Sequence, residues 1–264
     1  MMNRESLLKR ATKSEDKVFI AKILDKAFRT EKYKEVTNSD FLDPYQRKLV
    51  ENVVSDCKEL NYSFFGGYDG AERQIVFFRP TFMSDEPEES LGKLSLLRIT
   101  LNSRENLSHR DYLGSLMGLG IKREKIGDIL VKEESCDVVV FTEIADYISM
   151  NLQKVGNAKV ETSVIEIREL QTSQPKVKEI SATVASLRLD SVASYGYGMS
   201  RSKMLEYIKA DKVSLNWETT NSPTKLVKAG DTISIRGKGR VVVDSIGGLT
   251  KKGRVGIILK KFIG

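Results

Sequence analysis

This chain predicts an α+β fold built in three parts. Three observations carry that reading. Residues up to about Pro80 join helical periodicity to a β-hairpin signal. Residues 81–172 follow the order β-α-β-β-α-β. Residues 180–264 read as helices followed by short strands, and the chain's net positive charge lies there. From Lys176 to Gly264 there are 17 Lys+Arg against 7 Asp+Glu, a net of +10, whereas residues 1–175 carry 26 against 29, a net of −3. Charge segregated in this way predicts a polyanion partner for one domain; the plainer reading is a solvated cationic surface.

The first domain is expected over residues 1–80. Thr12-Lys13-Ser14-Glu15 has the letters of a capping box, and Val18, Ile20, Ala21, Ile23, Leu24, Ala27 and Phe28 follow at helical spacing. A second helix is expected over Tyr45–Leu60, with Pro44 at its first turn and Leu49, Val50, Val53, Val54 and Cys57 facing inward. The runs Tyr62–Tyr68 and Arg73–Phe78 flank Asp69-Gly70, a hairpin signal. Gly66-Gly67 admits two readings: a bulge or twist in the strand, or a place where a ligand phosphate nears the backbone.

The second domain, residues 81–172, opens on the acidic loop Ser84–Ser90. A strand is expected at Leu94–Leu101 and a helix from about His109 to Met117, capped by Ser108 with Asp111 in its first turn. Strands at Gly127–Lys132 and Cys136–Phe141 form a hairpin; a helix at Glu143–Lys154 and a strand at Lys159–Ile167 follow. This order is the ferredoxin-like, RRM-like unit, which leaves one sheet face free of helices. RRM-type modules stack bases on aromatics of that face. The central strands offer Leu94, Leu96, Ile99, Val138, Val139, Val140 and one aromatic, Phe141, so no base-stacking platform is expected.

Gln171–Pro175 reads as a connector. In the third domain, residues 180–264, one helix is expected to carry Ile180, Val184, Leu187, Leu189 and Val192, broken by Ser194–Met199. Ser200 then caps a second helix running to about Ala210. Val213–Trp217 and Thr232–Arg236 read as strands, with Lys228–Asp231 a turn. Gly237-Lys238-Gly239-Arg240 follows the second strand, and Lys251-Lys252-Gly253-Arg254 sits in a later loop. The start of the second helix offers N–H groups to a phosphate, with Arg201 and Lys203 beside them and Arg188 on the preceding helix. Arg236, Lys238 and Arg240 are further candidates. Trp217 admits two readings, a base-stacking platform or a core residue.

Four spaced pieces of this region resemble the S-four domain, the RNA-binding module named after small-subunit ribosomal protein four. They are Leu187-Arg188-Leu189-Asp190, Ser200-Arg201-Ser202-Lys203, Val213-Ser214-Leu215-Asn216 and Ala229–Arg236. Asp211-Lys212 replaces the usual turn glycine, and Trp217 replaces a small residue. The resemblance implies the alpha-L form of RNA-binding domain. It implies RNA contacts at Arg188, Ser200, Arg201, Lys203, Lys209, Lys212, Asn216, Lys228, Arg236, Lys238 and Arg240.

Over nearly its whole length the chain resembles the YlmH family of bacterial RNA-binding proteins. Phe64-Phe65-Gly66-Gly67-Tyr68, His109-Arg110-Asp111-Tyr112-Leu113-Gly114 and the stretch Gly118–Ile129 carry that likeness. It implies a second RNA surface at His109, Arg110, Tyr112, Lys122 and Arg123. It also implies a cytoplasmic protein bound to structured rRNA or tRNA on the large ribosomal subunit, in translation quality control of stalled complexes, with a link to cell division.

No apolar run approaches the roughly 20 residues a membrane span needs, and no signal core leads the chain. Cys57 and Cys136 read as reduced thiols, and with one His the chain lacks a zinc ligand set. His109-Arg110-Asp111 has the letters of a kinase catalytic loop without the remaining kinase motifs. Arg188-Leu189-Asp190 has the letters of a pseudouridine-synthase motif but is followed by Ser191-Val192-Ala193. Asn106-Leu107-Ser108 fits a glycosylation pattern that a cytosolic chain never uses. The expected function is therefore non-catalytic RNA binding by a monomer with no cofactor, metal or membrane. An RNA-modifying enzyme with an active site in residues 1–170 and a division-linked protein adaptor are the alternatives.

Overall fold

The computed structural model describes residues 4–11, 13–55, 57, 60–83, 92–102, 105–170, 177–251 and 253–262. Thr12, the acidic loop Ser84–Ser90 and the connector Gln171–Pro175 lie outside them. Strands and helices mix throughout, and the chain divides into two compact units, Met1–Thr172 and Ser173–Gly264.

The first unit begins with helices α1 (Arg4–Leu8), α2 (Ser14–Tyr33) and α3 (Pro44–Val54), with the short strand β1 (Thr37–Asn38) between the last two. Ile20, Ile23, Leu24 and Ala27 of α2 meet Val50, Val53 and Val54 of α3 in one apolar cluster. The spacing of these residues puts them on one stripe of each helix. Lys13, not Thr12, is the N-cap of α2, and it makes no side-chain cap bond. The reciprocal box sits on α3 instead. Asp43 accepts from the Gln46 backbone N–H at 2.8 Å, and Gln46 Oε1 accepts from the Asp43 N–H at 3.0 Å. The α3 helix ends at Val54, well short of Leu60, because Leu60 opens strand β2 (Leu60–Phe65). That strand pairs antiparallel with β3 (Ile75–Pro80), from Leu60↔Pro80 to Phe65↔Ile75. The connection is thus a long loop over 66–74, not a two-residue turn at Asp69-Gly70. Gly67 lies in this loop at φ +96°, and a Cβ there would stand 2.8 Å from Ile167 Cδ1. Close packing in a left-handed conformation explains it, and Gly66-Gly67 lies beyond the end of β2 and is not a bulge within the strand.

The ferredoxin-like unit follows as expected. Its strands are β4 (Leu94–Leu101), β5 (Ile126–Val131), β6 (Ser135–Phe141), β7 (Lys154–Val155) and β8 (Ala158–Ile165); its helices are α4 (His109–Gly118) and α5 (Thr142–Asn151). The sheet order is β5-β6-β4-β8-β7, every pair antiparallel. At the start of α4 the Asp111 carboxylate accepts from the Ser108 N–H at 2.8 Å and from the Ser108 hydroxyl at 2.7 Å.

One expectation fails: the sheet face opposite α4 and α5 is not free. Leu97, Ile99, Val138 and Val140 pack with the helices, while the alternate residues Leu94, Leu96, Val139 and Phe141 pack with Phe41, Ile75 and Phe77 of the N-terminal part. The β3 strand does the same in reverse, with Val76 and Phe78 in the helical cluster and Ile75 and Phe77 against the sheet. Unbroken apolar runs mark strands covered on both faces. Asp128 adds polar connections across this joint. It accepts from Tyr68 Oη at 2.7 Å and from the backbone N–H groups of Glu72 and Arg73 at 2.7 and 3.0 Å.

The second unit holds a six-stranded antiparallel sheet in the order β11-β10-β12-β13-β14-β9. Its strands are β9 (Val177–Val184), β10 (Val213–Leu215), β11 (Glu218–Thr219), β12 (Thr232–Ile235), β13 (Gly239–Leu249) and β14 (Val255–Phe262). Two helices, α6 (Leu189–Tyr197) and α7 (Arg201–Lys209), close its core through Leu189, Val192, Met204 and Ile208. The first expected helix is corrected: Ile180 and Val184 belong to β9, paired with β14. Their spacing of four fits a strand face as well as a helix stripe, and the β-branched residues of Val177–Val184 favour the strand. The expected break at Ser194–Met199 is corrected too. The α6 helix runs through Tyr197, and Gly196 is there because a Cβ would stand 2.9 Å from Val241 Cγ1.

Candidate nucleic-acid interface

Two arginines of the second unit, Arg188 and Arg201, converge on one buried carboxylate. Asp190, in the first turn of α6, is 1% exposed. It accepts from the Ser191 N–H at 2.9 Å. Arg188, the N-cap residue of α6, brings Nε to 3.4 Å of Oδ1. Arg201, the first residue of α7, places Nε at 2.8 Å and Nη2 at 2.7 Å from Oδ2. A buried carboxylate demands such partners, since an unpaired charge is costly away from water. The consequence is a fixed guanidinium. Arg201 stays 53% exposed, and its Nη1 has no partner among the described residues. The three charges sum to +1.

The neighbouring residues complete this end of α7. Ser200 is the N-cap, and its hydroxyl accepts from the Lys203 N–H at 3.3 Å. Lys203 is exposed, with no side-chain partner among the described residues. Backbone donors, two arginines and a lysine thus surround the first turn of a helix, where the dipole favours an anion.

A second cationic group lies at the other end of α7. Lys212 and Lys238 both stand over the Tyr207 ring, at 5.8 and 5.7 Å from its centroid. Lys209 closes the helix, and Arg236 is tied alongside by its N–H to Lys212 O at 3.0 Å. Arg240 lays its guanidinium over Phe262 at 4.2 Å, and Lys261 lies over Tyr197 at 5.4 Å. Tyr197 is a core residue, so its ring is closed to a base; Tyr207 and Phe262, partly exposed beside cations, suit a nucleic-acid backbone with exposed bases.

Three of the sequence candidates do other work. Asn216 sits at φ +52° in the two-residue turn between β10 and β11. Its Nδ2 donates to Asp231 Oδ1 at 2.8 Å, and its Oδ1 accepts from the Thr232 N–H at 2.9 Å. It is therefore a structural pin and not a free RNA contact. Tyr112 is 0% exposed inside the ferredoxin-like core, so its ring is unavailable to RNA. Arg123 donates from Nη1 to the carbonyls of Ile126 and Gly127, at 2.5 and 3.2 Å, and burial next to Arg73 pushes its pKa down to about 10. It is committed to the carbonyls that open β5. His109, Arg110 and Lys122 remain exposed on that unit. Desolvation and then Arg123 lower the His109 pKa, which favours the neutral imidazole at pH 7. Lys228 is exposed in a turn closed by its own N–H on Asp231 Oδ2 at 2.8 Å.

Three residues gain meaning from the structure. Trp217 is no core residue: it occupies the second turn position at φ +64°, a conformation bulky side chains rarely adopt. Asp211, at φ +53°, takes the place of the turn glycine. Arg254 was legible only as a loop charge, and its partners appear only in the fold. It donates from Nε to Thr183 Oγ1 at 3.2 Å, and from Nη2 to Thr183 O and Tyr195 Oη at 2.5 and 3.1 Å. Among the described residues no group of three or more His, Cys, Asp or Glu is placed to hold a metal, and no helix is long and apolar enough to cross a membrane.

Two family models match the chain: "YlmH, N-terminal" over residues 15–81 and "Putative RNA-binding domain in YlmH" over residues 87–169. The chain is 34% identical over 242 residues to "Ribosome-associated protein quality control protein P2" of Bacillus subtilis (strain 168), covering 91% of this chain and 93% of the relative. Its fold is similar to "Cell division protein ylmH from Streptococcus pneumoniae", with a TM-score of 0.52 at 23% identity over 60% of this chain and 96% of that one.

Proposed function

The chain belongs to the YlmH family, and on that premise we propose that it is a non-catalytic RNA-binding protein of the ribosome, acting in translation quality control. Its second unit is read as an S-four-type module gripping an rRNA or tRNA backbone. The observation that carries this reading is the start of α7, where Asp190 fixes Arg201 and Arg188 beside an unpaired Lys203 on a unit of high positive charge. Pairing to Asp190 does not neutralise the site. It orients Arg201 and leaves one amino group of the guanidinium outward, so less side-chain freedom is lost when a phosphate binds. Likeness to the ribosome-associated relative of Bacillus subtilis supports a ribosomal setting. We place the protein in the cytoplasm as a monomer on the large subunit.

The test is direct titration of ribosomal RNA with the full chain. Arg201→Glu with Lys203→Glu should weaken binding by orders of magnitude and flatten its salt dependence. Unchanged affinity would place the RNA elsewhere. An RNA-modifying activity predicts an altered nucleoside in mass spectra of RNA from cells with and without the protein; the present reading predicts none.

A further inference from the structure

Beside the Asp190-held arginine lies a cavity of about 470 Å³, within the roughly 300–1,000 Å³ typical of small-molecule sites. It is lined by Ser191, Ser194, Tyr195 and Met199 from the two helices and their link, by Arg201, and by Arg254 from the far end of the sheet. Both guanidinium groups are fixed from behind, Arg201 by Asp190 and Arg254 by Thr183 and Tyr195. On each, Nη1 has no partner among the described residues. No carboxylate lines this cavity. A cavity of about 360 Å³ in the first unit, by contrast, carries Glu35, Asp40 and Glu143 among its cations. Tyr195 is 43% exposed, a large ring left at the surface of a cationic hollow. Two preset cations, hydroxyls and an open aromatic face match one ligand chemistry, an anion joined to a flat ring.

We propose that this cavity holds one unpaired nucleotide of a bound RNA, its phosphate on Arg201 and Arg254 and its base against Tyr195 and Met199. The assignment rests on the RNA-binding reading above and adds a preference: stems carrying an extrahelical nucleotide over continuous duplex. Stacking tolerates any base, so the preference is for shape and not sequence.

The full chain is titrated with two synthetic RNA stems, identical except that one carries a single bulged 2-aminopurine. The bulged stem is expected to bind about tenfold tighter, and its fluorescence to fall as the base stacks. Tyr195→Leu should bring the two affinities within about twofold of each other, since stacking supplies the difference. Equal binding of both stems by the unaltered chain, with unchanged fluorescence, overturns the proposal while leaving salt-dependent duplex binding, and hence the RNA reading, standing. If neither stem binds, both readings fall. Adenosine monophosphate displacing the bulged stem at the stem's own binding concentration also overturns it, because the pocket would then take a soluble ligand.

Discussion

Lys203→Ala separates a phosphate contact from a structural charge. Lys203 is exposed and its ammonium has no partner among the described residues, so its loss should move stability by less than about 0.5 kcal/mol. Each phosphate contact contributes about 0.7–0.9 to the slope of log affinity against log salt. At ~0.1 M salt that slope corresponds to about five- to eightfold in affinity, or about 1 kcal/mol. Arg201→Ala should behave differently. It removes a similar contact and also strips Asp190, 1% exposed, of its closest partner, leaving the Ser191 N–H at 2.9 Å and Arg188 at 3.4 Å. Discounted for the 53% exposure of Arg201, the stability loss is about 1–2 kcal/mol. For a domain of this size that lowers Tm by roughly 5–10 °C. Fluorescence anisotropy across a salt series gives the slope, and thermal denaturation gives Tm. A Lys203→Ala protein with unchanged slope and affinity, or two variants with equal Tm, would refute the division of roles.

Asn216→Ala should lower stability by about 2 kcal/mol, through two lost hydrogen bonds and a left-handed residue, with no change in salt slope. Gly67→Val should destabilise the first unit by about 2–4 kcal/mol in denaturant melts, because it forces a branched side chain onto Ile167 at positive φ. Asp137 is buried, which alone raises its pKa, but hydrogen bonds from Arg98 and Lys132 at 2.7–3.0 Å outweigh this and hold it below the ordinary carboxylate range. A depressed carboxylate contributes stability above its unfolded pKa of about 3.9 and loses it as pH falls through the folded value. Asp137→Asn should therefore be less stable at pH 7 and lose less stability on acidification below about pH 4 than the unaltered chain; parallel acid titrations of the two proteins would contradict this.

The middle βαββαβ order was legible because short apolar runs of strand length are set off by polar turns from two stretches of helical spacing, and Ser108 with Asp111 marks a helix start by side-chain chemistry. The end of α3 and the β9 strand were not, since apolar spacing of four suits either geometry until a partner strand is known. The cover over the sheet was written in the runs Val138–Phe141 and Ile75–Phe78, whose lack of alternation signals two buried faces, yet no local rule names the partner. The site divides similarly. Arg201, Lys203 and Ser200 could be read from capping and charge, because a helix start is a local feature. The burial of Tyr112, the pinning role of Asn216 and the placing of Arg254 against Tyr195 depend on contacts between residues well separated in the chain, which no local pattern of letters names.

Ultraviolet crosslinking of the full chain to ribosomes, with mass spectrometry of the peptides that carry nucleotide adducts, tests the RNA assignment at residue level. Adducts within residues 188–254, at Tyr195, Tyr207 or the peptides beginning α7, are the expected result. Adducts confined to residues 4–170 would contradict it.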